Sequence, residues 1–336
     1  MGKILITDTS LRDGNHSVKH QFSVEDVKKV VIALDEAGID IIELGHGDGL
    51  TGSTINYGFS KESDMDLIKA ASSVVKNAKI AVLLLPGIGT VPDMQKAYEY
   101  GARVVRVATH VTEADISMEH IEKAKEMGYL TVGFLMMAHR APVDRVVEEA
   151  KKMESYGADI VYATDSAGAM LPNDVTAKIT ALRENLSIPV GFHSHNNLGL
   201  AIGNSLAALE AGATYIDGSL GGLGAGAGNT ATEMLVGVMG KSGYDINADF
   251  FKTMDAATQV LQPVVSQYGV NLPKIQDPLM LGYAGVYSSF MLHAKRAEER
   301  FGVDYREIIL EAGRREAVGG QEDWLYEIAA EIAKKK

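Results

Sequence analysis

Lys3-Ile4-Leu5-Ile6-Thr7-Asp8-Thr9-Ser10-Leu11-Arg12-Asp13-Gly14-Asn15-His16 joins an apolar run to a cluster of functional groups. Residues 3–7 read as a strand, and residues 7–16 as the turn that follows it, crowded with Asp8, Arg12, Asp13 and His16. Two carboxylates, a permanent cation and a titratable base at a strand's end are the inventory of a metal site with acid/base chemistry. The same residues also fit a polar loop with an Asp–Arg ion pair, so the rest of the chain must decide.

Working outward, seven further apolar, β-branched runs alternate with amphipathic stretches. The strand expectations are 3–7, 40–44, 80–85, 103–109, 130–136, 159–164, 189–195 and 214–218. Helical patterns lie between them, among them 23–36, 64–77, 112–126, 143–155 and 200–210. Ala37-Gly38, Tyr100-Gly101, Met127-Gly128, Tyr156-Gly157 and Ala211-Gly212 each stop a helical pattern just before a strand, and glycine tolerates the left-handed conformation that ends a helix. Eight such units predict an α/β fold, a (β/α)8 TIM barrel, followed by a small C-terminal helical domain. The expected division is 1–262 for the barrel and 263–336 for the helical part, which is strand-poor.

The 336 residues carry a net charge of −12 spread over mixed-sign helices, and no cysteine. That balance excludes a nucleic-acid footprint, and the lack of thiols leaves His, Asp and Glu to hold any metal. No apolar run is long enough to span a membrane, and the N-terminus enters a strand directly, so the expectation is a cytoplasmic protein without membrane association.

In a barrel the reacting groups follow the strands. After the second strand come Glu43, His46 and Asp48, after the sixth Asp165-Ser166, and at the seventh His193-Ser194-His195. The strand period of two puts both imidazoles on one face. With Asp13, from a strand that closure brings near, they form a two-His, one-carboxylate set open to water or substrate. Manganese, magnesium, cobalt, zinc and ferrous iron all suit such donors. Arg12 beside the metal is placed to stabilise an enolate oxygen, and His16, one turn on, is the natural general base. Leu85, at the rim after the third strand, offers an apolar wall to a small substrate. The glycine-rich 221–229 stretch lacks a phosphate-loop signature and reads as close backbone packing against the metal site, with Asn229 as a polar lid.

Asp8-Thr9-Ser10-Leu11-Arg12-Asp13-Gly14 together with His193-Ser194-His195-Asn196-Asn197-Leu198 resembles the metal-dependent (β/α)8 lyases and synthases that handle pyruvate-type enolates. Gly45-His46-Gly47-Asp48-Gly49-Leu50, Asn56-Tyr57-Gly58, Ala284 to Phe290 and Val318-Gly319-Gly320-Gln321-Glu322-Asp323 are similar to the 4-hydroxy-2-oxovalerate aldolases within that group. The resemblance implies metal binding by Asp13, His193 and His195, with Mn2+ the favoured ion and Co2+ or Mg2+ alternatives. It also implies enolate stabilisation by Arg12, proton acceptance by His16, and substrate contacts from Arg12, Asp13, Ser166, His193, Leu85 and Tyr287. The implied reaction is retro-aldol cleavage of 4-hydroxy-2-oxopentanoate to pyruvate and acetaldehyde. A Claisen-type synthase using an acyl-CoA is the alternative within the same group. The helical tail is expected to cover the barrel's active face and to bind an acylating acetaldehyde dehydrogenase.

Overall fold

A computed structural model describes residues 2–335. Its eight strands are β1 Leu5–Leu11, β2 Ile41–Leu44, β3 Lys79–Leu84, β4 Val104–His110, β5 Leu130–Met136, β6 Ile160–Asp165, β7 Val190–Ser194 and β8 Tyr215–Gly218. Each pairs in parallel with the next, and β8 pairs with β1, which closes the barrel. Between and after the strands run α1 Val24–Glu36, α2 Asp64–Ser72, α3 Val91–Glu99, α4 Met118–Met127, α5 Val143–Ser155, α6 Pro172–Asn185, α7 Ala201–Glu210, α8 Thr232–Lys241, α9 Phe250–Asp255 and α10 Gln262–Ser266.

Strand alternation sorts side chains between two cores. On β4, Val104 and Ala108 point into the barrel with Ile41, Leu83, Val132, Phe134, Ile160 and Tyr162. Val105 and Val107 point outward into the larger core shared with the helices. The five glycines read as helix stops all adopt positive φ, from 82° at Gly38 to 116° at Gly101, so each helix turns back toward the next strand without strain.

Two elements end several residues from where they are expected, the first strand and the second helix. The first strand continues past residue 7 to Leu11, with a register shift against β2 between Asp8 and Leu11. Its polar residues are absorbed by neighbours: Thr9 donates to the Gly218 carbonyl and Ser10 N–H to Asp8. Asp8 is therefore a buried strand residue accepting from Thr232 Oγ1 at 2.6 Å, and the functional turn begins only at Arg12. The second helix stops at Ser72 instead of 77, because Asp35 captures the backbone N–H groups of Lys76, Asn77 and Ala78.

The chain divides into compact units at Met1–Leu272 and Pro273–Lys336, later than the 262/263 boundary. Residues 263–272 belong with the barrel because Val264 and Val265 are part of its core. The second unit is four helices, α11 Gln276–Ala284, α12 Phe290–Phe301, α13 Tyr305–Arg314 and α14 Trp324–Lys335. They bury Met280, Phe290, Ala294, Ile308, Ile309, Leu325 and Ile328, and Tyr305 donates to Asp277 at 2.9 Å. Among the described residues no helix is long and apolar enough to cross a membrane.

Candidate active site

Past Leu11 the chain tightens into a 3-10 turn, Asp13–His16, pinned to the end of β2 by Asn15 Nδ2 donating to the Gly45 carbonyl at 2.9 Å. This anchor turns Arg12 and Asp13 over the mouth of the barrel. Arg12 Nε donates to Glu43 Oε2 at 2.7 Å and Nη1 to Asp13 Oδ1 at 2.8 Å. Burial opposes charge on Asp13, yet Arg12, His195, His193 and the Asn229 amide together hold its carboxyl well below the usual range. The glycine-rich loop closes on the same carboxylate: Asn229 Nδ2 donates to Asp13 Oδ2 at 2.6 Å. A Cβ on Gly224 would lie 2.7 Å from that oxygen.

At the end of β7, His193 Nδ1 lies 2.8 Å from Asp217 Oδ2. A carboxylate there accepts a hydrogen bond from Nδ1–H and so holds the tautomer whose Nε2 lone pair faces His195 Nε2, 3.4 Å away. Burial, with His193 beside it, pushes His195 down to about 4. Asp13, His193 and His195 bring one carboxylate oxygen and two ring nitrogens within 4.8 Å of one another. A neutral imidazole, an aimed lone pair and an anionic oxygen are the donor set of a divalent-metal site.

His16, His20 and Asp48 also converge within 4.8 Å, but His20 is already committed. It accepts the Gly47 N–H on Nδ1 and donates to the Tyr57 carbonyl. His46 accepts the Asp48 N–H on Nδ1, with Nε2 3.1 Å from the Gly58 carbonyl. The two rings stack at 3.7 Å, and burial, followed by the neighbouring His46 and His16, pushes His20 down to about 4. This pair is a hydrogen-bonded pad, with no free nitrogen on His20 for a metal. The half-buried His16 ring stands edge-on to His20 and rests on Gly47, where a Cβ would lie 2.5 Å from it.

The site thus brings Arg12, Asp13, His193 and His195 together, and Arg12 reaches toward the floor under His16 through Nη1 and the Gly47 carbonyl, 3.5 Å apart. Ser166 follows β6, and its Oγ accepts the Met137 N–H at 2.9 Å. Leu85 follows β3 and packs on the interior cluster. Tyr287 belongs to the second unit, between α11 and α12, and is 62% exposed.

Comparisons with known proteins identify the family. A family profile described as HMGL-like matches residues 3–260, and one described as a DmpG-like communication domain matches 274–334. A 4-hydroxy-2-oxovalerate aldolase from Carboxydothermus hydrogenoformans is 57% identical over 99% of this chain and 98% of its own. One from Pelotomaculum thermopropionicum is 56% identical over 99% and 97%. The chain belongs to the 4-hydroxy-2-oxovalerate aldolase family. The fold of this aldolase-family chain is shared more widely. The Bacillus subtilis HMG-CoA lyase structure superposes with a TM-score of 0.67 at 21% identity, covering 81% of this chain and 96% of that one. The carboxyl transferase domain of Rhizobium etli pyruvate carboxylase gives 0.68 at 16%, covering 99% and 60%.

Several site residues of this aldolase-family chain escape a reading of motifs. Arg106 and Asp217 lie inside strands, and His20 precedes α1 without any spacing signal. The available clue is charge at an inward strand position: Val104-Val105-Arg106-Val107 carries one guanidinium in an apolar run, and such a group is buried only when it is paired.

Two further buried carboxyls lie behind the glycine-rich loop. Burial pushes Asp8 up to about 6 and Glu233 up to about 7, although Glu233 accepts the Gly221 N–H at 3.0 Å. A folded-state value above the unfolded one means that the native state holds the proton more tightly. The resulting stability is complete below the ordinary carboxylate range and is lost as pH rises through 6 to 7. Glu233→Gln removes one contributor, so the wild-type-minus-variant difference in unfolding free energy should fall between pH 5 and 7, by at most about 1.4 kcal/mol per pH unit. Urea unfolding of both proteins across that range checks this; a difference independent of pH would contradict it.

Proposed function

We propose that the chain is a divalent-metal-dependent aldolase that cleaves 4-hydroxy-2-oxopentanoate to pyruvate and acetaldehyde, with Asp13, His193 and His195 as the metal ligands. The observation that carries this reading is the Arg12 guanidinium bonded to Asp13 beside two imidazole nitrogens within 4.8 Å, in a chain 57% identical to a 4-hydroxy-2-oxovalerate aldolase. Mn2+ is the proposed ion, with Co2+ or Mg2+ able to replace it at N/O donors. A bound divalent cation supplies a Lewis acid for the 2-oxo acid's oxygens.

The residues divide the remaining work. His16, steadied by Gly47 and His20, takes the proton from the substrate's 4-hydroxyl. The C3–C4 bond then breaks, its electron pair moves toward C2, and acetaldehyde departs. Arg12 has two edges tied down by Glu43 and Asp13, and among the described residues its Nη2 takes no hydrogen-bond partner. It is thus preorganised toward the oxygen that becomes negative. Protonation at C3 gives pyruvate. Ser166 and Leu85 line the substrate on the barrel side. The match of 274–334 to a DmpG-like communication domain supports an acylating acetaldehyde dehydrogenase as partner, receiving a small, reactive aldehyde directly.

Incubation of the metal-supplemented protein with 4-hydroxy-2-oxopentanoate should release pyruvate and acetaldehyde in equal amounts, while pyruvate plus acetyl-CoA should give no condensation product. Free CoA and a new acid from the second mixture, with none of the first reaction, would replace the aldolase by the synthase.

A further inference from the structure

Arg106 is the largest fully buried side chain of the barrel, 1% exposed, at the centre of β4. Its guanidinium lies over two adjacent aromatic rings, 4.3 Å from the Phe134 centroid and 4.6 Å from that of Tyr162, whose own centroids are 5.6 Å apart. It reaches two carboxylates in different ways: Nη2 donates a hydrogen bond to Asp217 Oδ2 at 2.5 Å, whereas Nη1 makes an ion pair with Glu43 Oε2 at 3.2 Å without a hydrogen bond.

The same oxygens serve the reacting groups. Glu43 Oε2 accepts from Arg12 Nε at 2.7 Å, and Asp217 Oδ2 is the atom 2.8 Å from His193 Nδ1. The other oxygens, Glu43 Oε1 and Asp217 Oδ1, are buried without a hydrogen-bond partner, so each carboxylate is oriented through a single atom. From this shared use we infer that Arg106 is a positioning residue, which fixes the orientations of Arg12 and His193 at once through Glu43 and Asp217. The chain Arg12–Glu43–Arg106–Asp217–His193 joins the group proposed to stabilise the enolate to a proposed metal ligand, with one planar cation in the middle. The inference rests on the reading of His193 as a ligand.

Lysine keeps the charge at 106 but presents one ammonium in place of a planar guanidinium, and cannot lie flat over the two rings while reaching both oxygens. Arg106→Met would instead leave buried carboxylates uncompensated and threaten folding itself, so Arg106→Lys is the informative variant. Two quantities are to be measured on the full chain: Mn2+ affinity by competition with a chelator, and kcat and KM at saturating Mn2+. Arg106→Lys should weaken Mn2+ binding about 10–100-fold, the range seen when partners of metal ligands are lost. It should also lower kcat at saturating Mn2+ more than it raises KM, because Arg12 is misaligned as well. Asp217→Asn should weaken Mn2+ binding similarly, and the double variant should be no weaker than the worse single one. Wild-type Mn2+ affinity in Arg106→Lys, or losses that add fully with Asp217→Asn, would overturn the inference. His193→Ala in the same assay separates the two readings: retained Mn2+ there overturns the ligand assignment, whereas lost Mn2+ there beside normal binding in Arg106→Lys overturns only the role of Arg106.

Discussion

His195→Ala is expected to fold, to bind less than a tenth of the wild-type Mn2+ and to show no measurable turnover, while His16→Ala keeps its metal and loses turnover alone. The contrast follows from position. His195 Nε2 faces His193 Nε2 at 3.4 Å and shares the 4.8 Å cluster with Asp13, so its removal leaves two donors. His16 lies outside that cluster, on Gly47 and against His20, and its loss should cost about 10²–10⁴ in kcat, the usual contribution of a general base. Elemental analysis of both purified variants, with kcat on 4-hydroxy-2-oxopentanoate, is the check. Normal metal content in His195→Ala would remove it from the ligand set.

Arg12→Lys should fail almost as badly as Arg12→Ala, with kcat reduced about 10²–10³-fold. The guanidinium uses Nε for Glu43 and Nη1 for Asp13 and still has an edge for substrate. A single ammonium cannot satisfy two buried carboxylates and face the developing charge as well. Steady-state kinetics at saturating metal measure the effect; turnover within a few-fold of wild type would show that a point charge suffices and that the fork is not required.

The barrel was legible because its signals are local. Alternating runs and a glycine after five of the helices are properties of neighbouring residues, and so is the i, i+2 spacing that brings His193 and His195 to one face. What was hidden depends on closure. Asp8 reads as part of the functional turn because a polar Asp8-Thr9-Ser10 resembles a strand's end; only Gly218 of β8 and Thr232 of α8, distant in sequence, make it strand interior. The second helix was overextended because its stop is Asp35, a residue of α1. Arg106 interrupts an apolar run and has meaning only beside Glu43 and Asp217, from β2 and β8. His20 and His46 share no motif, yet the β2 loop stacks them under His16. The 262/263 boundary followed the fading of the strand pattern, while the helix at Gln262–Ser266 still buries its valines in the barrel.

The measurement that bears most directly on the account is a metal titration of the stripped protein. The chain is cleared of divalent ions with a chelator, Mn2+ is returned in steps, and pyruvate release from 4-hydroxy-2-oxopentanoate is followed. Turnover should be absent at the start, rise linearly and level off at one Mn2+ per chain, in register with the one proposed ligand cluster, Asp13, His193 and His195. Undiminished pyruvate release from the stripped protein, or a titration unchanged by His195→Ala, would contradict it.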